Sequence, residues 1–274
     1  MEIEMDTALD EVAAASPLVN AVTNNVTVND VAQVILHWGG LPVMSDDERE
    51  VGDMVAAAGA CLLNMGTVSE AGEATMIEAG EAANERDIPV VVDPVGVGAT
   101  PTRDRVAERL VTELDVAILK GNYGEITALA GEDADVRGVE SVGEYSDIAA
   151  TAVAAAQQFD TVVVASGETD VVATADRAYE VSAGHPDMGT VVGTGCMLGG
   201  TVATFAGAIE DTERAALSGT VGFGLAGEAA AAEEFGAVHG PGSYNVAFKD
   251  AIAGLRGVDT DSADSRIEEV LSTA

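Results

Sequence analysis

The chain has 274 residues, long enough to bury a full core, and is expected to form a single α/β domain over residues 1–274. Lys plus Arg number 12 against 47 Asp plus Glu, a formal charge of −35. That charge excludes nucleic acid and anionic membrane surfaces as partners, because both would repel the chain.

Apolar β-branched runs alternate with helical patterns from Pro17 onward. "PLVNAVT" precedes "VNDVAQVILHWGG", "ACLLNMG" precedes "EAGEATMIEAGEAANERD", and "IPVVVDP" precedes "RDRVAERLVTEL". "VAILKGN" then precedes "EITALAG". This rhythm predicts βαβ units, and runs such as "PVVVD" and "TVVVAS" lack alternation, as strands of a mostly parallel sheet covered on both faces do. After Ala165 the pattern changes: "DVVAT" and "AYEVS" predict a hairpin beside the sheet. From Cys196 onward the chain reads as wholly helical, rich in Ala and Gly, and residues 258–274 read as an acidic polar tail.

In a doubly wound sheet, ligands bind beyond the carboxyl ends of the strands, so the residues just after each apolar run carry the chemistry. "TNNVTVND", residues 23–30, offers the amides of Asn24 and Asn25, which serve equally as helix caps. "DPVGVGAT", residues 93–100, places Asp93 at a strand end, where magnesium or a phosphate site wants an oxygen ligand; a plain Pro-Gly turn is the alternative. "LKGNYGEI", residues 119–126, brings Lys120, Asn122 and Glu125 within one helical turn, as a phosphate-facing cation and a metal-orienting acid, or as a capping box. "ASGETD", residues 165–170, offers the Ser166 hydroxyl and the Gly167 N–H to a phosphate. "GTGCMLGG", residues 193–200, is a glycine turn at a helix start, suited to stabilising negative charge. Cys196 in that first turn is expected to have a lowered pKa and to act as a base toward a hydroxyl, unless it merely packs the helix start. Cys61 reads as an inert core thiol, Trp38 and Met44 as core, and His37, His185 and His239 lack metal-ligand spacing.

These loops, in this order, resemble the hydroxyethylthiazole kinase family, a ribokinase-like family of thiamine biosynthesis and salvage. The motifs that carry the resemblance are "TNNVTVND", "LNMGT", "DPVGVGAT", "LKGNYGEI", "ASGETDVV", "GTGC" and "GPGSY", spread over nearly the whole chain. The resemblance implies ATP-dependent phosphorylation of the hydroxyl of 4-methyl-5-(2-hydroxyethyl)thiazole, with Mg2+. It implies that Asn25, Met44 and Gly193 contact the thiazole, that Lys120 and Ser166 bind ATP, that Asp93 and Glu125 hold the magnesium and its waters, and that Cys196 faces the accepting hydroxyl. It also implies a homotrimer with the site between subunits, Asn25 and Met44 of one completing a site with Gly193 and Cys196 of its neighbour.

Three positions depart from the family's pattern: Lys120 stands for Arg, Ser166 for Thr, and Val192 for a hydroxyl residue, and nucleotide affinity is where the difference is expected. The rival readings are a hydroxymethylpyrimidine kinase, a hydrate dehydratase, or a non-catalytic nucleotide-binding regulator. The asparagine-rich first loop and Cys196 argue against the first two.

Two cysteines and no basic-then-apolar leader point to the cytoplasm. The acid is spread along a sequence that is 47% hydrophobic, which suits a halophile. At molar salt the Debye length shrinks to ~3 Å and self-repulsion fades. The melting temperature should therefore rise from low to molar KCl; thermal melts across a KCl series that stay flat or fall would defeat this reading.

Overall fold

The apolar runs assemble into one sheet with helices on both faces. The computed structural model describes residues 2–131, 136–137, 140–141, 147–258, 260 and 262–273. The strands in chain order are β1 (Leu18–Val22), β2 (Leu41–Val43), β3 (Ala60–Asn64), β4 (Val90–Asp93), β5 (Ile118–Asn122), β6 (Val136–Arg137), β7 (Glu140–Ser141), β8 (Val162–Ser166), β9 (Asp170–Ala173), β10 (Arg177–Val181) and β11 (Ile267–Ser272). The main sheet runs β11-β10-β9-β8-β5-β4-β3-β1-β2, and β6 and β7 form a separate antiparallel pair. From β2 to β8 every pairing in the main sheet is parallel, as the unbroken Val, Ile and Leu runs require. The expected hairpin β9–β10 is present, and it extends the sheet antiparallel to β8.

The helices are α1 (Met5–Ala15), α2 (Val28–Trp38), α3 (Val51–Val55), α4 (Glu70–Asn84), α5 (Pro101–Glu113), α6 (Tyr123–Leu129), α7 (Ile148–Phe159), α8 (Thr194–Ala206), α9 (Thr212–Ala231) and α10 (Pro241–Gly254). Side chains of α1, α2, α8, α9 and α10 make one buried cluster with the sheet, and those of α3 to α7 make the other. On the first face Trp38 lies edge-on to Phe205, ring centroids 5.2 Å apart, and its indole N–H donates to Thr201 Oγ1 at 2.9 Å. Trp38 is core, as its sequence context indicates, and so is Cys61, whose thiol is pushed up to about 12 by burial.

The C-terminal stretch departs from the sequence reading. Within residues 258–274, β11 pairs antiparallel with β10, Ile267 opposite Val181 and Ser272 opposite Arg177, so the chain after Cys196 is not wholly helical. An edge strand needs a ladder on one side only, and Glu268 and Glu269 face solvent, so its composition reads as a polar tail. Helices α1, α3 and α7 and the three-residue strand β2 also go unmarked by the sequence rhythm.

Helices α4 and α5 are joined by charge. Arg105 grips Glu73 with both nitrogens, at 2.7 and 2.8 Å, and Arg109 adds a further bond. The two guanidiniums hold the buried Glu73 carboxyl down to about 2. A depressed folded-state pKa contributes stability above the unfolded value and loses it as pH falls toward the folded one. Glu73→Gln should therefore destabilise the fold near neutrality by on the order of 1–2 kcal/mol, since solvent around both arginines screens the pair. That difference should vanish between about pH 5 and pH 2; urea melts of both proteins across that range check it, and a pH-independent gap would refute the ion-pair account.

Candidate active site

The loops after β1, β3, β4 and β5 meet beneath the first turn of α8. Gly193 caps α8 with φ 89°, in the left-handed region, and a Cβ there would lie 2.4 Å from Thr27 Cγ2. Both the backbone turn and the first loop thus demand glycine. Thr194 Oγ1 braces the turn by donating to the carbonyls of Met188 and Val191, each at 2.8 Å. The helix start then presents N–H groups and the positive end of a dipole to the strand ends below.

Asp93 ends β4 fully buried, with Lys120 Nζ 3.4 Å from its Oδ1 and Asn64 Nδ2 donating to its Oδ2 at 2.6 Å. Lys120 is buried as well and lies under the glycine turn, where a Cβ on Gly195 would stand 3.1 Å from Nζ. Glu125 completes the charged group: its Oε1 accepts the Gly96 N–H and its Oε2 the Asn122 N–H, both at 2.7 Å. Asn122 accepts the Glu125 N–H at 2.9 Å in return, so the capping box read from the sequence exists at the start of α6. Burial pushes Glu125 up to about 7 against the pull of Lys120, and burial raises Asp93 too. Burial opposes the charge of Lys120, but the carboxylates of Asp93 and Glu125 more than offset it and its pKa lies above the ordinary value. Two acids thus face one ammonium.

Cys196 sits on the first turn of α8 with its Sγ 3.4 Å from Asn24 Nδ2. Its pKa is raised rather than lowered, which corrects the expectation drawn from the helix start. Burial of the thiol is the largest cause and the Asp93 charge adds to it; Lys120, Thr27 and Asn64 offset only part. The resting group is a thiol.

A family model described as the hydroxyethylthiazole kinase family matches residues 9–266 of this chain. The chain belongs to the hydroxyethylthiazole kinase family. It is 66% identical to a hydroxyethylthiazole kinase of Natronomonas pharaonis over 98% of this chain and 97% of that one. A hydroxyethylthiazole kinase of Haloquadratum walsbyi is 60% identical over 97% and 93% of the two chains. Both relatives come from halophiles. The solved structure of a hydroxyethylthiazole kinase protein from Pyrococcus horikoshii superposes with a TM-score of 0.85 at 34% identity, covering 97% of this chain and 99% of that one. A ribokinase-like superfamily protein from Enterococcus faecalis superposes with a TM-score of 0.64 at 12% identity over 88% of each chain, which shows the ribokinase-like fold.

Of the residues singled out in the sequence, the fold gathers Asp93, Lys120, Glu125, Gly193 and Cys196 around one buried point. Ser166 stands beside Asn122 at the end of β8 and donates to the Gly121 carbonyl at 3.3 Å, while the Gly167 N–H is taken by Asp170 Oδ1 at 3.0 Å. Asn25 is exposed, its N–H directed to Thr67 Oγ1 at 3.4 Å, and Met44 is half-buried after β2. Neither makes a hydrogen bond to the buried cluster; the first-loop residues that reach it within one chain are Asn24 and Thr27. The sequence reading gave Asn64 no role, although it closes β3 as Asp93 closes β4, in register with it. No group of three or more His, Cys, Asp or Glu arranged to hold a metal occurs among the described residues, and no described helix is long and apolar enough to cross a membrane.

Proposed function

We propose that this chain, a single kinase domain in the cytoplasm, transfers the γ-phosphoryl group of ATP to the primary hydroxyl of 4-methyl-5-(2-hydroxyethyl)thiazole. The observation that carries the reading is the convergence of the Cys196 thiol, the Asp93–Lys120 pair and the α8 N-terminus on one buried point. Phosphoryl transfer asks for positioning and charge stabilisation rather than covalent work by the protein, and these groups supply both.

In this reading the acceptor oxygen attacks phosphorus as the bond to the leaving ADP oxygen breaks. Lys120 and the N–H groups at the start of α8 stabilise the negative charge on the transferred group. Cys196 orients the acceptor hydroxyl. The hydroxyl proton passes to the transferred phosphoryl oxygens once the new O–P bond has formed. Ser166, at the adjoining strand end, faces the nucleotide side with Lys120.

The donor set fits Mg2+, because two hard carboxylates against one lysine leave a buried negative excess. Asp93 and Glu125 would hold the ion through oxygen and water, in the manner of magnesium bound by one or two carboxylates plus phosphates. When bound, it supplies charge neutralisation for the phosphates of ATP.

Two properties of the protein in solution depend on these roles. Cys196→Ala should lower kcat by about 10²-fold with KM for ATP nearly unchanged, while Cys196→Asp, which places an oxygen at nearly the same reach, keeps substantial activity. Steady-state kinetics at matched salt decide it: an alanine variant as fast as wild type means Cys196 only packs its helix.

The second concerns assembly. Val26 and Val192 are 74% and 76% exposed and line a cleft of about 310 Å³ with Asp30, Val191, Pro241 and Asn245, beside the outward-facing Asn25. We infer a homotrimer in which Asn25 and Met44 of one subunit complete the thiazole pocket next to Gly193 and Cys196 of its neighbour. Light scattering in high salt should give three times the chain mass, and a fully active monomer would sink the shared pocket.

A further inference from the structure

Residues 63–67, "LNMGT", leave β3 in the sheet position between the first loop and Asp93. Asn64 there is buried, and its partners fix its amide in one orientation. Oδ1 accepts from the Gly66 N–H and from Asn24 Nδ2, both at 3.0 Å, so Nδ2 is the atom that meets Asp93 Oδ2 at 2.6 Å. A flipped amide would set NH2 against two donors and an oxygen against a carboxylate oxygen.

Asn24 is fixed in the same way. Its Oδ1 accepts the N–H groups of Val26 and Thr27, both at 3.0 Å, which turns Nδ2 toward Thr27 Oγ1 at 2.8 Å, Asn64 and the Cys196 sulfur. The donors therefore run in one direction, from backbone N–H groups through two side-chain amides to the sulfur and the carboxylate. Gly66 leaves the room this needs, since a Cβ there would stand 2.8 Å from the Asn24 side chain. Packing alone would be served by an apolar side chain at position 64, whereas a buried amide must have every partner supplied.

We propose that Asn64 is a positioning residue of the transfer step, the strut that holds the Asp93 carboxylate and, through Asn24, the Cys196 sulfur in fixed register with each other. This rests on the phosphoryl-transfer reading above. Asn64 bears on the reacting atoms through Asp93 and Asn24, and its amide also lies near enough to the Cys196 thiol to act on it, so its loss should be felt in turnover rather than in substrate binding.

The test is steady-state kinetics on Asn64→Ala and Asn64→Asp with ATP and the thiazole alcohol, each variant assayed in KCl at which its melt shows it fully folded. Asn64→Ala should lower kcat about 10- to 100-fold, the cost typical of losing a partner that orients a functional group, with both KM values within about threefold of wild type. Asn64→Asp keeps the acceptor toward Asn24 and Gly66 but turns a second carboxylate on Asp93, so its kcat should fall at least as far. Asn64→Ser, whose hydroxyl is too short to span to Asp93, gives the same readout if the alanine variant yields no folded protein. The double variant Asn24→Ala/Asn64→Ala should lose less than the product of the single losses, because both residues serve one strut. Wild-type kcat in folded Asn64→Ala, or a loss confined to KM, overturns the proposal. A wild type that does not turn over the thiazole alcohol overturns the phosphoryl-transfer reading and this one with it; an active wild type beside an equally active Asn64→Ala overturns this one alone.

Discussion

Two buried carboxylates set against one buried ammonium are the constraint around which the rest of the site is arranged. Asp93, Glu125 and Lys120 are all nearly inaccessible to water, so their charges cost free energy unless the protein replaces the lost hydration. The replacement comes from the carboxyl ends of the sheet: an amide from β3 for Asp93, and two backbone N–H groups for Glu125. A parallel sheet brings strand ends with unpaired polar groups to one edge, and α8 adds its N-terminus above them. The fold therefore concentrates donors where an anionic substrate and two acids must coexist.

A chain with only 12 basic residues uses them sparingly. Arg103 donates to the carbonyls of Met65 at 2.9 Å, Gly66 at 3.0 Å and Val95, stitching the loop after β3 to the loop after β4. Arg214 ties α9 to Glu11 of α1 at 2.8 Å, and Arg266 ties the approach to β11 to Glu228 of α9 at 2.8 Å. Each joins elements far apart in sequence through more than one contact, while acidic side chains are left to solvent. The negative surface thus coexists with positively charged stitching at a few internal seams, where screening by salt is weakest.

Much of this was legible in the sequence because parallel strands advertise themselves as unbroken apolar runs, and a polar residue that stops such a run lies at the sheet's functional edge. That rule points to Asp93 and Lys120 at strand ends and to Glu125 just beyond one, and the fold brings the three together. Asn64 obeys it too, but an asparagine before a glycine also reads as turn chemistry, and its bond to Asp93 joins residues on separate strands that sequence alone does not align. Cys196 shows the complementary limit. Sequence marks it as the start of a helix, which lowers a thiol's pKa, but cannot show the burial and the neighbouring carboxylate that raise it. For β11 the acidic side chains masked a strand whose pairing is carried by the backbone. The site assignments for Asn25 and Met44 came from family resemblance, and neither residue belongs to the buried hydrogen-bonded cluster of its own chain.

The capping box at the start of α6 restricts which side chain can stand at position 125. Glu125 offers one oxygen to the Gly96 N–H and the other to the Asn122 N–H, so both of its ends must be acceptors. Glutamine, its nearest relative in shape, has one accepting end and one donating end, and in either rotamer it would point NH2 at a backbone N–H. Aspartate has two acceptors but is a methylene short of spanning both loops. Local backbone geometry thereby constrains position 125 before any demand of chemistry is considered, and it ties the loops after β4 and β5 to one shared side chain.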